Sequence, residues 1–219
     1  LIATRSEGLA TEDPGPWHGP SARLAAERLP KALKSSWRWW HLPPPPAREL
    51  NLADLLEPDE QVAWHSAAQT EALLDLMAPL HRRRLDQAVA QARAGGLRQV
   101  GALFRRTRQE QGRSQQRAEV RFDGQAGCLR TARGGSSRQT VVVIDPALGE
   151  AGVRTRLMTP REGARLMGLG DDYVLPKGAA AALTLVGDGV AVPVVAFLEQ
   201  HLLRQLVQAC QSARQAPQA

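Results

Sequence analysis

Hydrophobic and polar positions change period several times along the chain, and each change predicts an element. Residues 6–20 mix Gly, Pro and acidic side chains without periodicity, the pattern of an exposed connection. Trp37, Trp39 and Trp40 then lead into Leu42-Pro43-Pro44-Pro45-Pro46, which continues neither a helix nor a central strand and predicts a stiff, extended spacer with a boundary there. Beyond it, Pro58 opens a predicted helix led by Asp59 and Glu60, with Val62, Leu73, Leu74 and Met77 as its apolar positions. A second helix restarts after Pro79, repeats Leu85, Val89 and Ala92 at helical spacing, and stops at Gly95-Gly96. From Leu97 the pattern becomes strand-like at residues 100–104, 118–122 and 141–144, separated by Gly-rich and polar loops, which predicts a small β-rich module. Val141-Val142-Val143-Ile144 is apolar without alternation and predicts a strand buried on both faces.

Downstream, Thr159-Pro160-Arg161-Glu162 has the form of a helix start, with Thr159 as N-cap, Pro160 in the first turn and Glu162 at the capping-box position. Ala164, Leu166 and Met167 give this helix an apolar side, Gly168 ends it, and Asp171-Asp172-Tyr173 forms a turn. Its first four residues are expected to be structural. Asp171 and Asp172 stand side by side in a turn, not across a substrate as an acid and a base. Residues 187–193 read as a flexible turn before a last helix, in which Val194, Leu198, Leu202 and Leu206 recur every four residues beside Phe197 and Leu203. That stripe calls for a covering surface larger than this chain supplies. The turn either lines a ligand pocket or simply starts the helix. No internal repeat is visible, which excludes a solenoid.

Composition narrows the class. The 219 residues, 43% of them apolar, suffice for one full domain or two small ones with a buried core. No apolar run approaches the roughly 20 residues of a membrane span, residues 190–198 being short and interrupted by Pro193. Leu1-Ile2-Ala3-Thr4-Arg5 lacks the pattern of a signal peptide and reads as a cut strand. Cys128 and Cys210 lie far apart without metal-ligand spacing, so neither a zinc site nor a disulfide scaffold is expected, and a reducing cytoplasm is the expected setting.

The net charge is +6, and all but three of the 28 basic residues are arginine. A planar guanidinium forks onto phosphate oxygens or onto the O6/N7 edge of guanine, so this balance suits a DNA-binding surface; a GC-rich genome produces the same bias. The Arg82-Arg83-Arg84 run is either a solvated face or a phosphate contact, and the tryptophans either pack on the proline run or stack on bases. The strongest local signal is Gly127-Cys128-Leu129-Arg130-Thr131-Ala132-Arg133-Gly134-Gly135-Ser136-Ser137-Arg138-Gln139-Thr140, which converges arginines, hydroxyls and a paired glycine between two strands. Arg130, Arg133 and Arg138 suit guanine or phosphate and Gln139 suits adenine. Thr131, Ser136 and Ser137 add hydroxyls, and Gly134-Gly135 lets backbone N–H groups approach phosphate closely. A plain polar hairpin loop is the alternative.

Read in order, these segments resemble the C-terminal part of cytosine-5 DNA methyltransferases. Residues 156–173 look like the family's ninth motif and Gly187-Asp188-Gly189-Val190-Ala191-Val192-Pro193-Val194 like its tenth, while the arginine- and glycine-rich loop falls where the family keeps its target-recognition domain. The resemblance implies that Gly187, Asp188, Gly189 and Val190 close over the methionine end of S-adenosylmethionine. It departs from the family at Gly163, often Cys, at Gly170, often Pro, and at Asp188-Gly189, more often Asn-Ser; the two glycines are expected to loosen the short helix and its turn. The family's reaction needs a thiolate, following a proline, that adds to C6 of a flipped cytosine. Here Cys128 follows Gly127 and Cys210 sits in the last helix, so both are expected to be structural. The glycine-rich cofactor turn and the Glu-Asn-Val segment are likewise expected upstream of residue 1.

The implied architecture is α/β overall: a small mixed α+β target-recognition domain plus C-terminal helices that dock on a largely absent parallel-sheet methyltransferase domain. Residues 1–46 are expected to end the catalytic domain, 47–152 to form the DNA-binding domain, and 153–219 to return to the catalytic domain. The implied function is the DNA-specificity portion of a methyltransferase acting on C5 of cytosine, within a restriction-modification system and inactive alone. Its implied partners are double-stranded DNA and an N-terminal catalytic part, in cis or as a separate subunit, with no membrane and no metal. A stand-alone sequence-specific DNA-binding protein is the alternative.

Overall fold

The computed structural model describes residues 10–11, 15, 18–35, 37–40, 42–110, 112–131 and 138–215. The chain divides into two compact units, Leu1–Ala47 with Val192–Ala219, and Arg48–Ala191.

The first unit begins with strand β1 (Ala10–Thr11), helices α1 (Pro20–Glu27) and α2 (Lys31–Lys34), and strand β2 (Trp39–Trp40). β1 pairs antiparallel with β2, setting Ala10 opposite Trp40. Trp37 meets Trp39 edge-on at 5.3 Å between ring centroids, and Trp39 meets His18 at 4.7 Å, so the aromatic knot packs on itself. Residues 42–50 form neither helix nor strand.

The second unit opens with two 3-10 turns, Leu52–Leu55 and Asp59–Gln61, followed by α3 (Ala67–Leu74) and α4 (Pro79–Gly95). The helix expected at Pro58 is therefore a single turn. The true start lies at Ser66, whose hydroxyl accepts from Gln69 N at 3.2 Å while the Gln69 side chain accepts from Ser66 N at 2.8 Å. α4 runs as expected from Pro79 in its first turn to Gly96, which ends it in the left-handed conformation with φ 62°. Arg82, Arg83 and Arg84 are exposed on it.

Strands β3 (Gln99–Glu110), β4 (Arg113–Arg121), β5 (Thr140–Ile144) and β6 (Val153–Leu157) form one sheet in the order β4-β3-β5-β6, every neighbouring pair antiparallel. Helices α5 (Pro160–Leu166) and α6 (Ala179–Asp188) complete the unit. All five residues of β5 are buried, as its unbroken apolar pattern requires. On one face Leu103, Ala118, Val120, Val142 and Ile144 pack with Leu85, Ala88 and Ala92 of α4. On the other, Ala102, Val141 and Val143 pack with Leu52 and Met158, flanked by Trp64, Phe104, Leu129 and Leu166. Each fully buried valine contributes roughly 1.5–3 kcal/mol. The expected mixed α/β module is present, with an antiparallel sheet. β6 pairs with β5 across the expected cut at 152/153, and the compact unit continues to Ala191.

The chain returns to the first unit with α7 (Val192–Leu198), a π-helical segment Glu199–Leu203, and α8 (Arg204–Gln215). Of the expected stripe, Leu202 and Leu206 are buried and Val194 is exposed, and Val192, Val195, Leu203 and Val207 are exposed beside it. The strict four-residue repeat is wider than the α-helical period of about 3.6, and the wider π turn falls inside it. The expectation of no membrane-length apolar run needs correction. Ala179–Ser212 is long and apolar enough, by length and composition alone, to cross a membrane. In this structure the stretch is broken at residues 189–191, between α6 and α7.

Candidate nucleic-acid interface

The scaffold beneath the candidate loop is a buried ionic lattice. Alternation along β6 turns Arg154 and Arg156 to the same side as Val141 and Val143 of β5, toward the turns that precede α3 and toward α5. Arg156 and Glu162 are almost wholly buried and pair as a fork, NH1 to Oε2 at 2.8 Å and NH2 to Oε1 at 2.5 Å. Glu162 also accepts from the backbone N–H of Glu57 at 2.8 Å and of Thr159 at 2.9 Å, while Thr159 Oγ1 accepts from Glu162 N at 3.1 Å. The capping box foreseen at Thr159 and Glu162 is thus complete and tied to a segment more than a hundred residues upstream. Arg154 stacks 4.1 Å from the Trp64 ring centroid and bonds Asp59 at 2.6 Å; Asp59 also holds Arg98 at 2.7 Å. Burial pushes the Asp59 carboxyl up, but the two arginines outweigh it and hold it below its ordinary value.

The other arginines of this segment are also committed. Arg161 donates to the carbonyls of Gly170 at 3.1 Å and Tyr173 at 2.9 Å. Arg165 forks onto Asp171 at 2.7 and 2.8 Å and reaches Leu55 O at 3.1 Å. The helix α5 and the turn after it, which Gly163 and Gly170 are expected to loosen, are both formed and held by these bonds. Gly163 has another use: a Cβ there would stand 3.1 Å from Val186 Cγ1, so the glycine lets α6 approach α5 closely.

The loop is clamped where it leaves and rejoins this scaffold. Gly127 lies on the Phe104 ring with no room for a Cβ. Gln139 is buried, and its side-chain amide bonds both backbone groups of Gly127, accepting from N at 2.9 Å and donating to O at 2.7 Å. An amide used at both ends presents no free edge to adenine, so Gln139 acts here as a clasp. Gly187 of α6 sits against the backbone of Arg130 and Thr131, again without space for a Cβ, which joins the two segments singled out in the sequence. Arg130 and Arg138 are exposed, with no hydrogen bond or ion pair among the described residues. Arg133, Gly134, Gly135, Ser136 and Ser137 lie outside the described residues.

Residues 187–190 differ from the expected turn. Gly187 and Asp188 form the last turn of α6, Gly189 caps it by donating to Leu185 O at 3.0 Å, and Val190 is exposed. Asp188 is exposed as well. Gly187, Gly189 and Ala191 border a groove of about 390 Å³ shared with Asn51, Cys128 and Met167. Cys128 and Cys210 are both exposed, not buried as small core residues. Among the described residues no three His, Cys, Asp or Glu side chains converge on a metal-sized site.

A family model for C-5 cytosine-specific DNA methylases matches residues 43–204, most of the chain and all of the unit Arg48–Ala191. The chain belongs to this family. Over 84 residues it is 36% identical to the type II methyltransferase M.HpaII of Haemophilus parainfluenzae, an alignment covering 33% of this chain and 24% of that protein. The chain therefore matches about a quarter of that relative's length. No solved structure matches it. The span matched to the C-5 cytosine-specific DNA methylases contains the ionic lattice, the clasped loop and α6.

Sequence reasoning missed the distal half of the β3–β4 hairpin. Its signal is an alternation of charge: Arg106, Arg108 and Glu110 on one strand, Arg113, Arg117 and Glu119 on the other.

Proposed function

We propose that this chain supplies the DNA-specificity portion of a cytosine-5 DNA methyltransferase. In this reading the whole protein transfers a methyl group from S-adenosylmethionine to C5 of cytosine in double-stranded DNA, in the cytoplasm and as part of a restriction-modification system. The supporting observation is the clasped loop. Gln139 and Gly187 fix its two ends on a scaffold held by buried charge, while Arg130 and Arg138 project from those ends without partners among the described residues. A rigid base with free guanidiniums is what base reading needs, because an arginine already bonded to a carboxylate must give up that bond to reach guanine. Arg130, Thr131, Arg133, Gly134, Gly135, Ser136, Ser137 and Arg138 are the proposed DNA contacts, with Gln139 positioning them.

Recognition is assigned to the unit Arg48–Ala191, whose boundary follows the sheet and α6 instead of the cut at 152. The exposed apolar side chains Val192, Val194, Val195 and Val207 are then the face that packs on the N-terminal catalytic part. S-adenosylmethionine supplies the methyl group when bound. The exposed carboxylate of Asp188 suits its ammonium, and Gly189 and Val190 suit the rim of such a site. Gly187 borders the same groove while its Cα packs against the backbone of Arg130. Neither Cys128 nor Cys210 follows a proline, so in this reading the thiolate comes from the N-terminal part. A stand-alone DNA-binding protein shares the same loop and differs in having no such partner.

Selection of duplexes from a randomised pool tests the recognition reading. The chain is expected to enrich one short sequence, and Arg138→Ala to weaken or relax that preference by roughly 1–3 kcal/mol. Unchanged affinity and preference contradict it.

A further inference from the structure

Between Phe104 and Ala118 the chain carries no apolar side chain, yet it forms a regular antiparallel ribbon. Residues 106–109 of β3 and 113–116 of β4 are exposed. A two-stranded ribbon with nothing to bury gains little from folding, so its order points to a polar partner. The register identifies that partner's charge. Phe104 pairs with Glu119, Arg106 with Arg117, Arg108 with Gln115 and Glu110 with Arg113, and alternate pairs share a face. One face therefore collects four arginines against two glutamates. Both carboxylates lie within that row: Arg108 Nε donates to Glu119 Oε1 at 2.6 Å, and Arg117 Nε to Glu110 Oε1 at 2.9 Å. They spread and hold the guanidiniums while leaving the face positive. Arg113 is exposed with no ion pair among the described residues.

The same face runs into the clasped loop. The Arg106 guanidinium lies 5.9 Å from the Phe104 ring centroid, and that ring is the one on which Gly127 rests. The paired length from Phe104 to Glu110 is roughly 20 Å at about 3.3 Å per residue, and a two-stranded ribbon fits the major groove of duplex DNA.

We infer that the β3–β4 ribbon is a second DNA-binding element, whose Arg106, Arg108, Arg113 and Arg117 face contacts the phosphodiester backbone beside the loop. It contributes affinity, not site choice. This inference rests on the DNA-recognition reading and extends it to a surface that reading did not use.

The test is a titration of the 219-residue chain against a mixed-sequence duplex over a range of salt concentrations. Arg108→Gln with Arg113→Gln is expected to leave the melting temperature unchanged and to reduce the slope of log affinity against log salt by about 1 per arginine. Glu110→Gln, which frees Arg117, is expected to tighten binding. Arg83→Gln with Arg93→Gln on α4 removes the same charge from the opposite side of the sheet and is expected to leave the slope unchanged. An unchanged slope in the ribbon variant, or an equal loss in the α4 variant, overturns the inference. If Arg138→Ala alters site preference while the ribbon variant keeps its slope, the ribbon alone is wrong; if the unaltered chain binds no duplex, both readings fall.

Discussion

Arg156 and Arg108 face the same side of one sheet, two strands apart, and are used in opposite ways. Arg156 is sealed under α5 and forked onto Glu162, whose remaining lone pairs are filled by backbone N–H groups. Arg108 stands on an exposed ribbon and shares one carboxylate with Arg106. The first arrangement makes charge part of the core. The second keeps it in solvent, where an ion pair is worth about 0–1 kcal/mol and exchanges readily for a phosphate. Residue type therefore says little about an arginine's role in this molecule; the arginine's own burial separates the two cases, its side chain being 0% exposed at Arg156 and 50% exposed at Arg108.

The strongest way to break that comparison is Glu162→Gln. Every group facing this side chain is a donor, so the new amide NH₂ meets Arg156 or a backbone N–H and leaves a buried cation unpaired. A loss of about 3–5 kcal/mol is expected in denaturant unfolding; a loss below about 1 kcal/mol would place the pair with the surface ones. Next in size, Gln139→Ala orphans both backbone groups of Gly127. It should cost roughly 1–3 kcal/mol and blur the DNA preference along with it, whereas a stability loss with intact preference would detach the clasp from recognition.

The smallest effect is on pH dependence. Burial first, and then the charge of Arg105, hold the His65 imidazole below its ordinary value of 6.5. A group whose folded value is lowered binds its proton more readily when unfolded. Its contribution is therefore complete above pH 6.5 and declines as pH falls through that value toward the folded one. The melting temperature should drop over that window, and His65→Asn, which keeps an acceptor or donor toward Thr155, should flatten the drop.

What was legible in the sequence followed from short-range rules. The unbroken apolar run of β5, the Pro79 and Gly96 limits of α4, and the spacing of Thr159 and Glu162 each dictate a local structure. What was not legible followed from long-range charge. Asp59 looked like the acidic first turn of a helix, but Arg98 and Arg154 draw it to the sheet, and the helix waits until Ser66. β6 was missed because its inward positions are Arg154 and Arg156, made interior by Asp59 and by Glu162. The ribbon was cut short at Phe104 because its alternation is of charge, not apolarity. At the loop, the residues were visible but their division of labour was not: Gln139 resembled a base reader until Gly127 came within reach of both ends of its amide.

The central claim is that this chain recognises DNA for a methyltransferase whose reactive thiol lies elsewhere. Transfer of a labelled methyl group from S-adenosylmethionine to duplex DNA, measured with the chain alone and with an N-terminal part bearing the Pro-Cys segment, tests it most directly. No transfer by the chain alone and transfer by the mixture is the predicted result; transfer by the chain alone would contradict it.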